Sequence, residues 1–344
     1  MMDAFEQEGH ATPPLIGHEW AKKRLLSGLA SGRVSHATLI VGPPNIGKAT
    51  LARFFAQALT CGETPVPCGV CRSCRRIISG NHPDVRVLDA PLDAPDETLK
   101  IDQVRDLQRE LSLSPHEGTW RVAVLCNFER ASDEAANSLL KTLEEPPAHV
   151  VLILTATEAD ILLPTIVSRC QVLSLRPLAV TEVQQALISH WGADEMQANL
   201  LAHVSSGRLG WAVRALQDKA MLARRDECLD ALTSLSGKGR VDRLAYASNL
   251  SRNRKLARET LDFWMSWWRD VLLLTADAQV VLTNIDRMDS LREHTNQVTL
   301  HESQRVVAQL RYIVGSLDQN VNLRLAMDVL LLSLPRTLIA SQAS

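Results

Sequence analysis

A chain of 344 residues with 46% hydrophobic content can bury substantial cores and should divide into two or three domains. Its formal net charge of −2 argues against a stand-alone nucleic-acid binder, which would be basic throughout, so any contact with DNA should be local or shared with partners. The opening MMDAFEQEGHATPP is acidic without a signal-peptide core, and no apolar run reaches membrane-spanning length, so the expected location is cytoplasmic, away from membranes.

In chain order, Ile16 to Gly32 has helical spacing at Trp20, Leu25, Leu26 and Leu29 and ends on a glycine, which predicts an amphipathic helix packed on a sheet. Thr38 to Val41 reads as a strand. GPPNIGKAT follows at once, from Gly42 to Thr50, and then the helical LARFFAQAL. The loop fits GxxxxGK through Gly42, Gly47 and Lys48, offering backbone N–H groups and the positive end of a helix to an anion. Ala49, however, stands where the motif places the hydroxyl that holds magnesium, and Thr50 points about 100° further round the helix. Two readings remain: nucleotide binding without turnover through Gly42, Gly47, Lys48 and Thr50, and a vestigial loop kept as a turn from strand to helix.

Four of the seven cysteines lie between Cys61 and Cys74. In a reducing compartment such a cluster reads as a metal site before it reads as disulfides. Cys68, Cys71 and Cys74 are spaced i, i+3 and i+6, and a loop folding back from Cys61 completes a tetrahedral thiolate cage, closed to water and therefore structural, with zinc as the expected ion. An iron-sulfur cluster or unliganded thiols are the alternatives, although the cysteine-proline pair of such clusters is absent downstream. Arg72, Arg75 and Arg76 form a rim that is either solvated or in touch with nucleic acid. Asn81 to Leu88 then predicts a strand, and Ile101 to Leu113 a helix with Ile101, Val104, Leu107, Gln108 and Leu111 near one face.

The stretch from Arg121 to Cys170 is the most informative. Val122 to Leu125 and Val150 to Leu154 have the composition of strands covered on both faces of a parallel sheet. The helix between them can be capped by Ser132 or Asp133, places Ala136, Leu139, Leu140 and Leu143 on one side, and stops at Pro146 and Pro147. Chemistry in such sheets sits at the carboxyl ends of strands. After Leu125 come Cys126 and Asn127, where hydrolysis needs acids for magnesium and water. Glu129 lies beyond the strand end, and the register shift that would rescue it turns the buried side chains outward. Departures at Ala49, Cys126 and Asn127, all in one constellation, predict lost hydrolysis. Leu163 to Cys170 is a turn or short helix ending in Ser168-Arg169-Cys170, before a strand from Val172 to Leu175. Arg169 is either a surface cation or an arginine finger offered to a nucleotide in a neighbouring subunit.

Pro177 marks a boundary, after which the pattern is helical. Helices are predicted from Thr181 to Trp191, from Asp194 to Ser205, within GRLGWAVRAL from Gly207, and almost continuously beyond Met221. Phe263, Trp264, Trp267, Trp268, Val271 and Leu272 form one face, read as core or subunit contact, with base stacking as the sharper alternative. Val321 to Leu334 suits bundle packing. No Ser-His-Asp arrangement stands out, and His10, His18 and His36 read as structural.

The four cysteines followed by NHPDV, the segment ANSLLKTLEEPP from Ala136 to Pro147, Ser168-Arg169-Cys170 and NVNLRLAMDVLLL from Asn320 together resemble the AAA+ clamp-loader subunits of bacterial DNA polymerase III, most closely their delta-prime branch. The resemblance covers nearly the whole chain. It implies an α/β AAA+ parallel-sheet domain over 1–177 with a zinc insertion at 61–74, a small helical lid over 178–220, and an all-helical collar for oligomerisation over 221–344. Zn2+ would be held by Cys61, Cys68, Cys71 and Cys74. Gly42 to Thr50 become the Walker A loop, Cys126 and Asn127 a replaced Walker B pair, Gly210 the place of a sensor arginine, and Arg169 a finger acting in trans. The implied function is that of a non-hydrolysing subunit, with ATP bound if at all without turnover, that works with gamma/tau-like and delta-like partners to load a sliding clamp on primed DNA. Two other classes stand beside it: a gamma/tau-like ATPase that uses Thr50 and Glu129, and a zinc-stabilised DNA-binding module that uses Arg72, Arg75 and Arg76.

Overall fold

The computed structural model describes residues 14–90, 98–317 and 322–336. The acidic opening up to Pro13, with His10, lies outside the described residues, as do Asn320 and Val321 of the closing segment. The chain forms two compact units, residues 1–182 with 208–210, and residues 183–207 with 211–344.

In the first unit the strands are β1 (Ala37–Val41), β2 (Val85–Asp89), β3 (Arg121–Cys126), β4 (Val150–Ala156) and β5 (Gln171–Ser174). They form one parallel sheet in the order β2-β3-β4-β1-β5. β1, β3 and β4 are buried along their whole length, which is why they read as unbroken apolar runs. Alternate residues divide between two faces. Leu39, Leu125, Leu152 and Leu154 pack with Leu107 and Leu111 of α4 (Ile101–Leu111) and Leu139 and Leu143 of α5 (Asp133–Glu144). Ile40, Val122, Val124 and Ile153 meet Leu25 of α1 (Glu19–Ala30) and Leu51 and Phe55 of α2 (Lys48–Thr60) on the other. The remaining helices of this unit are α3 (Arg72–Ile78) and α6 (Pro164–Val167).

Several expectations change in detail. α1 buries Ala21 and Leu25, but Trp20 is 49% exposed, because it falls off the sheet-facing stripe. The strand expected from Asn81 starts only at Val85, since His82 and Asp84 are spent on side-chain bonds described below. α3 has no counterpart in the sequence reading. Ser132, and not Asp133, caps α5, its hydroxyl accepting from the Ala135 N–H.

The second unit is helical: α7 (Val180–Trp191, its first turn shared with the first unit), α8 (Glu195–Val204), α9 (Leu209–Gln217, its first two residues in the first unit), α10 (Lys219–Gly237), α11 (Arg240–Leu250), α12 (Arg254–Thr275), α13 (Met288–Thr295), α14 (Leu300–Ser316) and α15 (Leu323–Ser333). Trp264, Trp267 and Trp268 of α12 are wholly buried at its centre among Leu291, Leu310 and Met327. The aromatic face is therefore core, and base stacking on it is ruled out. Trp264 Nε1 donates to the Cys228 carbonyl at 2.8 Å and Trp267 Nε1 to His294 Nδ1 at 2.9 Å, which keeps those indoles satisfied in an apolar interior. No helix among the described residues is long and apolar enough to cross a membrane.

Candidate functional site

The loop from Gly42 lies at the carboxyl end of β1, between β4 and β5. Gly42 has φ of 152°, and a Cβ there would come within 2.9 Å of the Leu175 carbonyl, so the sharp exit from the strand requires glycine. Its N–H donates to the Ala156 and Thr157 carbonyls, tying the loop to the end of β4. His18, buried, braces the far side by a 3.0 Å contact between Nε2 and the Ile46 carbonyl. Lys48 is 6% exposed, and its ammonium donates to the Gly42 carbonyl at 2.5 Å and the Pro43 carbonyl at 3.0 Å. Burial pushes its pKa down to about 8, opposed chiefly by the charge of the Glu129 carboxylate. Ala49 is partly buried and packs against the cluster that holds Ile46, Leu51 and Phe55, and the Thr50 hydroxyl has no hydrogen-bond partner among the described residues.

Cys126 is the last residue of β3 and is buried. Burial, with Asp89 alongside, pushes its thiol up to about 12, so at neutral pH it is an uncharged group unable to hold magnesium. Asn127 turns left-handed at φ 52° and spends its side-chain amide on Asp89 Oδ1 at 3.0 Å and the Ala90 carbonyl at 3.1 Å. Its backbone N–H donates to Thr155 Oγ1 at 3.0 Å. Glu129 lies past the strand end, as expected, on the 3-10 turn Phe128–Arg130, but the turn folds it back. One carboxylate oxygen accepts from the Thr157 N–H at 3.1 Å, and the other is buried with no partner among the described residues. Thr155 and Thr157, which the sequence reading passed over, thus stitch the end of β4 to both flanking loops. Their signal was their place just after the β4 apolar run.

Gly210 belongs to the first unit together with the loop. Its N–H donates to the Asn45 carbonyl at 2.9 Å, and a Cβ there would lie 2.9 Å from the same oxygen. An arginine at this position would displace the loop.

The four predicted cysteine ligands meet. Their sulfurs all lie within 4.8 Å of one another, with Cys61 and Cys71 at 3.9 Å, close to the ~3.8 Å edge of a tetrahedron built on zinc-sulfur bonds of ~2.3 Å. Backbone N–H groups of Cys68, Cys71 and Cys74 donate to the sulfurs of Cys61, Cys68 and Cys71 respectively. Donors from Cys71 and Val70 draw the Cys68 thiol down to about 7, while burial pushes Cys74 up. This is a donor set that fits one tetrahedral metal ion. The cage is fastened to the sheet unit from below: Gln57 of α2 donates to the Cys74 carbonyl, and Ser73 donates to Thr60 Oγ1 at 2.9 Å.

His82 lies 3.0 Å from Ser73 Oγ, with Asp84 nearby, which among the described residues is the nearest approach to a serine-histidine pair. The Asp84 N–H donates to His82 Nδ1 at 3.1 Å, so in the neutral ring Nε2 carries the proton and donates to the serine. That is the opposite of a base poised to take it. The Asp84 carboxylate instead accepts from the His116 and Glu117 amides at 2.7 and 2.8 Å; burial favours raising its pKa, but these amides and the Arg121 charge outweigh it and hold it low. NHPDV is therefore a structural knot beside the cage. Arg76 and Arg72 both reach Glu117, at 2.7 and 3.8 Å, and Arg75 is exposed, in keeping with a solvated rim.

Arg169 follows α6. Its Nη1 donates to the Thr165 carbonyl at 2.8 Å and its Nη2 lies 2.8 Å from Glu144 Oε1 at the end of α5. It is a surface arginine 35% exposed, held in one posture.

Residues 17–179 match the family described as DNA polymerase III, delta subunit. The DNA polymerase III subunit delta' of Bacillus subtilis is 29% identical over 324 residues, 91% of this chain and 94% of that protein. Both matches support a clamp-loader subunit of DNA polymerase III. The subunit tau of Escherichia coli is 35% identical over 214 residues, 60% of this chain. This chain spans only 32% of that tau. The crystal structure of a DNA polymerase III gamma subunit-related protein from Thermotoga maritima aligns at 20% identity over 90% of this chain and 97% of that one, with a TM-score of 0.44. Within this chain, the parallel sheet keeps the loop and the end of β3 close through β4, while the groups that would bind magnesium and activate water are absent at Ala49, Cys126 and Asn127.

Proposed function

We propose that this chain is a delta-prime-type subunit that does not hydrolyse nucleotide itself and that lends Arg169 to ATP bound in an adjacent gamma/tau-like subunit. With a delta-like subunit completing the assembly, hydrolysis in the neighbour releases a sliding clamp onto primed DNA in the cytoplasm. One observation carries this reading: at the end of β3 a neutral buried thiol and an amide already bonded to Asp89 occupy the two places where carboxylates are needed. The near-complete span of a delta' relative supports it. The four cysteines hold Zn2+ as a structural clip on an insertion too small for its own core. Residues 178–220 act as a lid and 221–344 as the collar of the ring.

The loop's residues bind nucleotide, if at all, through the N–H groups between Gly42 and Thr50 and through Lys48, whose ammonium would have to exchange its two loop carbonyls for phosphate oxygens. Reconstitution with gamma/tau-like and delta-like partners, followed by ATPase and clamp-loading assays with and without this chain, tests the proposal. Full activity in its absence rejects it.

A second reading, a slow gamma/tau-like ATPase, draws on Glu129, whose carboxylate is the leading favourable charge on Lys48. Turnover by the purified chain alone, abolished by Lys48→Ala, would establish that reading instead.

A further inference from the structure

Two segments singled out in the sequence, LEEPP and Ser168-Arg169-Cys170, meet in a single ion pair, Arg169 with Glu144 at 2.8 Å. Glu144 is the last residue of α5 and Glu145 its C-cap. Peptide dipoles leave partial negative charge at a helix C-terminus, so two successive carboxylates there oppose local electrostatics. Lys141 is the only basic residue in that last turn. Arg169 thus faces a carboxylate, a helix's negative end and the Thr165 carbonyl together. A local rule broken at a point where it gathers charge around one guanidinium marks a site with a purpose beyond folding.

We propose that Glu144 is a positioning residue that parks Arg169, holding its guanidinium charge-compensated until the triphosphate of a neighbouring subunit takes it over. This rests on the reading of Arg169 as a finger and adds what the finger must leave. The exchange runs in the right direction. A carboxylate offers two oxygens and one charge, whereas a terminal phosphoryl group offers three oxygens and more charge and accepts the planar fork in a bidentate manner. The pair is also weak enough to surrender its arginine: both partners are partly exposed, at 35% and 52%. Pairs of this kind change an equilibrium by about two- to fivefold, a threshold and not a lock.

The test is steady-state ATPase of the complex reconstituted with gamma/tau-like and delta-like subunits, reading KM for ATP separately from kcat. Glu144→Gln removes the competing charge with little change of shape, so KM should fall about two- to fivefold while kcat holds. Glu144→Asp keeps the charge and should stay nearer the wild type. Arg169→Ala should lower kcat, and Glu144→Gln added to it should change nothing further, because the parked group is gone. Thermal unfolding of each chain alone, expected at an unchanged or slightly higher midpoint for Glu144→Gln, verifies that the variants are folded. A loss with Arg169→Ala but no KM shift with Glu144→Gln overturns the parking role and leaves the finger. An equal shift in both backgrounds does the same. No loss with Arg169→Ala overturns both.

Discussion

The nucleotide-type loop and the cysteine cage lie on the same unit and have met opposite fates. The loop keeps its shape, with the strand exit at Gly42, the His18 brace and the buried Lys48, while the acids and the hydroxyl that would give it chemistry are gone. In the cage every donor is present, converging within 4.8 Å and oriented by N–H···S bonds. On the proposed function, the difference teaches that a fold can retain a site's backbone for packing reasons without its reactivity, whereas a closed metal site contributes to folding only if all its ligands stay. The loop's remaining carbonyls and amides still bind Lys48, β4 and Gly210, so losing the loop would cost the sheet its crossover.

The sharpest way to break this comparison is Arg169→Ala in a reconstituted loader. If the catalytic work of this chain is done on another subunit's nucleotide, ATPase should fall by about 10³ or more while the lone chain's metal content and unfolding midpoint stay put. An effect confined to the lone chain's stability would instead make Arg169 a structural residue.

Next in size is Cys71→Ser. It removes a proposed metal ligand and, at the same time, the sulfur that caps α3 and accepts from the Cys74 N–H. Loss of a structural metal belongs with the most damaging single changes, more than about 4 kcal/mol for the insertion. Limited proteolysis should open residues 61–80 while the sheet, whose buried cluster takes only Ile77 and the flank of Val66 from this stretch, stays protected. Removing metal with a chelator should give the same pattern in the wild type.

The helical unit provides a pH-dependent contrast with the sheet unit. His294 is wholly buried, accepts a hydrogen bond from Trp267 and stacks edge-on against Trp268; burial drives its pKa down to about 4. The unfolded ring has its ordinary value of about 6.5, so between pH 6.5 and 4 the unfolded chain binds the extra proton and stability falls as pH falls. The full effect is roughly 3 kcal/mol. It should appear as a urea midpoint that declines over that range in wild type and less steeply in His294→Gln, which keeps an acceptor for the indole.

The legibility of this molecule followed the same division. Strands β1, β3 and β4 were readable because burial on both faces leaves only apolar residues, and the cage because four cysteines in fourteen positions have few other uses. The tryptophan face was recognised as a stripe but could be placed in the core only when its neighbours were known. What stayed hidden depends on side chains meeting across the fold. His18 hooks a carbonyl 28 residues away, Asp84 gathers amides from the next loop, and Glu129 returns toward Lys48 through a turn that strand periodicity cannot describe. α3 was missed because its seven residues carry two apolar and three basic side chains, and its start depends on a cysteine cap.

The smallest expected effect tests the comparison most directly. Ala49→Thr, Cys126→Asp and Asn127→Glu together restore the missing hydroxyl and both carboxylates, yet turnover by the lone chain should stay at background. The acid at 126 would enter a site 4% exposed, and burial that already drives the thiol to about 12 would work against its charge as well. The glutamate at 127 would lose the amide donors to Asp89 and the Ala90 carbonyl and set two carboxylates against each other. Gly210, pressed against the Asn45 carbonyl, still leaves no room for an arginine over the phosphates. Recovery of magnesium-dependent hydrolysis by the triple variant would mean that the shape of the loop had been the harder part to keep, and that chemistry could return to it by three substitutions. Continued silence would mean that neighbouring bonds, Asn127 with Asp89 and Gly210 with Asn45, have since been built around the loss and now depend on it.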